Sequence, residues 1–178
     1  MRKIIFFGLC VIGLSFSSCK EDDKTDNPIA HGYFQYSFVY SAWSTINAGW
    51  IIDKSGNVKS YENPQKWNEP DSSGYISEQQ LIDNLSHCDS IINTISSSDL
   101  TYYNTFVESA SKGKMTPGKQ GGADRPTQRF YCYWYDKSKG KYKQIILSQY
   151  GDVIFSNTDS SAINIDSWLT KIKILIDN

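Results

Sequence analysis

Between Arg129 and Tyr135 the chain runs Arg-Phe-Tyr-Cys-Tyr-Trp-Tyr, rich in the aromatic residues that a pleated surface accommodates best. Strand alternation sets Tyr131, Tyr133 and Tyr135 on one face and Phe130, Cys132 and Trp134 on the other. Both faces are therefore aromatic. One of them packs under helices, and the tyrosine row is then either covered or exposed. Exposed, it makes a platform for sugar or peptide; covered, it is ordinary sheet packing. After the polar break Asp136–Gly140 a second run, Lys141 to Gln149, completes a hairpin, and Gly151-Asp152 turns the chain into Val153 to Ser156.

An earlier hairpin has the same build. Tyr33 to Tyr40 alternates, with Phe34, Tyr36, Phe38 and Tyr40 on its buried face, and Ala48 to Ile52 meets Asp53-Lys-Ser-Gly-Asn57 before Val58 to Tyr61. Between the hairpins, Ser77 with Gln80 three places on reads as a capping box. The stripe Leu81, Leu85, Cys88, Ile92 and Ile95 extends that helix to Ile95. Asp99 can cap a shorter helix from Leu100 to Ala110, and Asp159-Ser160-Ser161 starts a last one to Ile176. Its core face carries Ile165, Trp168, Leu169, Ile172 and Leu175. This order predicts an α+β domain: an antiparallel sheet of about five or six strands built from hairpins, covered on one face by about three helices.

Two loops stand out. Glu62 to Gly74 is polar apart from Trp67, which is either a plug packed on the domain or an exposed stacking group. Ser111 to Gln128 holds Lys112, Lys114, Lys119 and Arg125 against Asp124, with four glycines and two prolines. Its composition predicts a mobile, solvated segment. Within it, Gly113-Lys-Met-Thr-Pro-Gly118-Lys119-Gln120 nearly matches a phosphate-binding loop. Gln120 replaces the hydroxyl residue that holds magnesium, and nothing after it can open the required helix, so no nucleotide is expected.

The amino terminus has its own logic. Arg2 and Lys3 precede an apolar run from Ile4 to Phe16, too short for a membrane span, and Ser17-Ser18-Cys19 follow. This resembles a bacterial lipoprotein signal, although Phe16 stands where that motif usually has leucine. The resemblance implies cleavage after residue 18 and a lipid on Cys19 that anchors the chain to the membrane. The run Lys20, Glu21, Asp22 and Asp23 resembles the export signal of Bacteroidota lipoproteins. It implies an outer-membrane location facing the cell exterior. The expected division is a signal peptide over 1–18, a flexible tether over 19–30 and one globular domain over 31–178. Asp89-Ser90-Ile91 also resembles the O-glycosylation acceptor of Bacteroidota, though it falls inside the predicted helix.

Removing residues 1–18 from the 178 leaves 160, with 16 Lys and Arg against 19 Asp and Glu. That balance argues against nucleic acid. Cys88 and Cys132 are the candidates for a disulfide, and closing that loop is worth roughly 4 kcal/mol. The alternative is two buried free thiols. No nucleophile elbow, zinc motif or calcium loop is present, so neither catalysis nor a metal or other cofactor is expected. Asp53, Glu62, Glu69 and Asp71 lie in loops from which carboxylates can converge, but their spacing does not ask for it. The expected function is a non-catalytic binding module for a glycan or protein, with Tyr131, Tyr133, Tyr135 and Trp67 as ligand contacts. The alternative is an envelope inhibitor or immunity-type protein that masks a toxin or protease.

Overall fold

Among the described residues, the aromatic strand sits in the interior of a nine-stranded sheet. A computed structural model describes residues 32–42 and 45–178, so Cys19, Lys20, Glu21, Asp22, Asp23 and the proposed signal and tether lie outside the described residues. The strands are β1 (Phe34–Tyr40), β2 (Ile46–Ile52), β3 (Asn57–Glu62), β4 (Tyr75–Ile76), β5 (Ser90–Thr94), β6 (Lys119–Gln120), β7 (Thr127–Asp136), β8 (Lys141–Tyr150) and β9 (Val153–Ser156). Helices α1 (Glu78–Ser86), α2 (Ser97–Ala110) and α3 (Ser160–Asp177) complete the α+β fold. The order is β5-β3-β2-β1-β7-β8-β9-β6, with β4 also on β8, and the pairings are antiparallel. The sheet has more strands than the hairpins alone predict, because β4, β5 and β6 are short additions to them.

Alternation builds two cores. Phe34, Trp50, Phe130, Cys132 and Leu147 meet Leu100 and Val107 of α2 and Ile165, Trp168, Leu169 and Ile172 of α3. Neighbouring residues on the same strands point the other way. Ile51, Tyr131, Tyr133 and Tyr142 join Tyr33, Ile76 and Leu81 of α1 in a second core. The sheet thus carries apolar cores on both faces, where the sequence predicts helices on one.

Three local expectations change. The capping box of Ser77 and Gln80 forms as predicted, but α1 stops at Ser86, where the His87 amide bonds the Asn84 carbonyl at 3.0 Å. Ser90–Thr94 then pairs with β3, since Ile91, Ile92 and Thr94 are β-branched and suit a strand better than a helix. Ser90 of the acceptor-like triplet is exposed at the start of that strand. In α3, Leu175 is 71% exposed, and Ile176 packs against the core instead.

The glycine-rich loop is pinned rather than loose. The Thr116 amide donates to the Ser156 carbonyl, Gly121 to Asp152 and Thr158 to Lys114, each at 2.8 Å, and β6 pairs with β9. Backbone pairing needs no apolar side chain, so composition conceals it.

Cys88 and Cys132 are free thiols. Cys132 belongs to the first core and Cys88 packs against the second, on the other side of the sheet, so the predicted disulfide is corrected. Burial pushes the Cys88 thiol up to about 11 and that of Cys132 higher still, which leaves both inert as nucleophiles.

Candidate functional site

The tyrosine row is covered, which corrects the exposed platform. Tyr131 and Tyr133 are 7% and 3% exposed, and Tyr135 is half-buried against Tyr142, ring centroids 5.0 Å apart. Tyr133 belongs to a buried polar chain. Its phenol donates to Gln35 Oε1 and accepts from Gln144 Nε2 at 2.8 Å, while Gln35 Nε2 donates to the Tyr61 hydroxyl at 2.9 Å. Burial raises the pKa of both phenols, so they stay protonated and work as hydrogen-bond partners.

Tyr131 is the member of the row that reaches a cavity. With Tyr61, Trp67, Glu69, Arg129 and Gln144 it lines a polar cleft of about 60 Å³. The structure therefore brings together two sequence candidates, Trp67 and Tyr131, and separates Tyr133 and Tyr135 from them. Trp67 is the plug of the two alternatives, half-buried on the domain. It packs on Tyr61, with centroids 4.3 Å apart, and it lines the cleft.

Local structure explains how the loop holds these groups. Asn68, between Trp67 and Glu69, is locked to α1: its amide donates to Asn84 Oδ1 at 2.7 Å, and Asn84 Nδ2 donates to the Asn68 carbonyl at 2.9 Å. Asn84 is 2% exposed, so the lock is shielded from water. At the loop's start Asn63 adopts φ 45, a conformation asparagine tolerates, and its amide bonds the Asn47 carbonyl at 2.7 Å.

Across the cleft, Arg129 stands on β7. The β7–β8 register shifts between Phe130 and Tyr131, so Leu147 is an extra residue in β8. Without that bulge Gln149 would share the face of Ile145 and Leu147. With it, Gln149 pairs beside Arg129 and accepts from its Nε at 2.5 Å. Of the four loop acids, Glu69 alone lines the cleft; Asp53 and Asp71 accept amide hydrogens in their own turns. Neither Glu69 nor Arg129 belongs to an ion pair among the described residues.

Glu69 keeps much of its stem in solvent, but desolvation against the cleft wall raises its pKa, opposed by the charge of Arg129. A raised native pKa means the folded state holds its proton longer than the unfolded one. Stability from this group is thus greatest below the ordinary glutamate pKa and falls as pH rises through the native value. Glu69→Gln is expected to remove that slope. Thermal melts should coincide with the wild type at acid pH, and the variant should melt slightly higher at pH 7.

No protein-family model, curated protein or solved structure matches this chain.

Proposed function

We propose that the chain is a lipid-anchored outer-membrane protein, facing the cell exterior through a lipid on Cys19, whose domain is a non-catalytic binding module for a glycan or protein. The bonding site is the Trp67–Tyr131 cleft, and α2 and α3 back the opposite side of the sheet. One observation carries this reading. Glu69 and Arg129 face a shared cleft with aromatic walls, and neither is neutralised by an ion pair among the described residues. An acid and a base that line one concave cleft beside aromatic rings, without closing an ion pair, suit ligand recognition. The lipoprotein-like signal supports the address.

The test is array binding. The detergent-solubilised full chain, applied to arrays of glycans and peptides, should bind a subset, and Trp67→Ala should weaken that binding by about tenfold or more with the fold intact. Equal binding by both proteins would remove the cleft from consideration.

A second reading, masking of a toxin or protease, is favoured by one feature. Among the described residues strand β5 is an open sheet edge, its Ile91 and Ile92 are 57% and 40% exposed, and no charged residue occurs from Ser90 to Ser98. Such an edge can accept a strand from another chain.

A further inference from the structure

Glu69 and Arg129 are the charged side chains lining the cleft, one of each sign. A purely anionic ligand satisfies Arg129 and repels Glu69; a purely cationic one does the reverse. A neutral ligand leaves the two charges facing only each other, too far apart for an ion pair, while displacing their water.

We propose that the cleft takes a dipolar head group, an ammonium and a carboxylate on one carbon, as in an α-amino acid. The proposal rests on the cleft being a binding site. Glu69 receives the ammonium beside the packed Tyr61–Trp67 ring pair and Tyr131, which line the same cleft. Arg129 receives the carboxylate. Its Nε is already held by Gln149, which fixes the guanidinium plane and leaves the two terminal nitrogens for a forked contact. Gln144 offers a further amide at the same cleft.

Size narrows the ligand further. A cavity of about 60 Å³ admits a head group of a few heavy atoms and leaves the rest of the molecule outside. The site therefore selects the head group and tolerates many side chains. The same head group occurs on a free amino acid or at the end of a larger molecule, and the chemistry at Glu69 and Arg129 is shared.

The experiment titrates the detergent-solubilised full chain, by tryptophan fluorescence and calorimetry, with alanine, acetate, methylammonium, glucose and glutathione. Glutathione displays the head group at its γ-glutamyl end. Alanine or glutathione should bind about tenfold or more tightly than acetate or methylammonium. Tighter binding of glutathione than of alanine assigns the displayed form, and the converse the free form. Glu69→Gln and Arg129→Gln should each lose that preference, with circular dichroism reporting an unchanged fold. Acetate or methylammonium binding as well as alanine overturns the proposal. A response to glucose alone also overturns it but keeps the cleft as a binding site. No response to any probe, together with array binding unaffected by Trp67→Ala, overturns both.

Discussion

Trp168→Ala is expected to lower the unfolding free energy by about 3–5 kcal/mol. Trp168 comes from α3 and is 8% exposed. It stacks on Tyr103 of α2 with centroids 4.1 Å apart and planes 8° from parallel. It also meets Phe34 of β1 edge-on at 5.1 Å and 87°. One ring thus joins both helices to the middle of the sheet. Truncation removes the aromatic contacts and leaves a cavity that three separate elements would have to close. Urea unfolding checks it, with Leu175→Ala as the exposed control, expected within about 0.5 kcal/mol of wild type. A Trp168→Ala loss below about 1 kcal/mol would show that the helices do not depend on this contact.

Gln35→Leu is the second large effect, expected at about 2–4 kcal/mol despite the similar volume. Gln35 is 4% exposed, and its amide serves two phenols at once, accepting from Tyr133 and donating to Tyr61. Leucine leaves both hydroxyls short of a partner among largely buried groups at the floor of the cleft. The residual bonds, Gln144 to Tyr133 at 2.8 Å and Tyr61 to the Tyr36 carbonyl at 3.4 Å, replace only part of the loss. Adding Tyr133→Phe should recover some of the stability, because the orphaned hydroxyl is then gone. A double-mutant cycle by urea unfolding reads this coupling directly. Additive losses would mean that the two side chains act independently.

How much of this is legible in the sequence depends on the kind of contact. The faces of β7 follow from alternation alone: Phe130, Cys132 and Trp134 join one core, and Tyr131, Tyr133 and Tyr135 the other. The N-caps at Ser77 and Asp159 are equally readable, because a local hydrogen bond needs only local residues. The cap expected at Asp99 is instead Ser96, whose hydroxyl accepts from the Asp99 amide, so α2 starts three residues earlier than Leu100. Strand β5 is not readable, since Cys88, Ile92 and Ile95 fall by chance at helical spacing, and only the open edge of β3 decides the outcome. The exposure of the tyrosine row is likewise undecidable, because what packs with it, Ile76 of β4 and Leu81 of α1 among others, comes from distant parts of the chain. At the site, Trp67 and Tyr131 stand out as aromatic residues. Glu69 is visible only as one loop acid among four, and Arg129 only as the start of a strand. They meet through the Asn68–Asn84 lock and the bulge at Leu147, and neither device has a compositional signature.

The carboxyl carbon of Glu69, followed by NMR through an acid titration of the isotope-labelled full chain, tests the central claim most directly. A desolvated carboxylate without an ion pair should titrate above the ordinary glutamate value of about 4.3, and the midpoint should fall when alanine occupies the cleft. A midpoint at or below the ordinary value in the free protein would contradict the account, because Glu69 would then already be neutralised and the cleft would hold no open charge for a ligand.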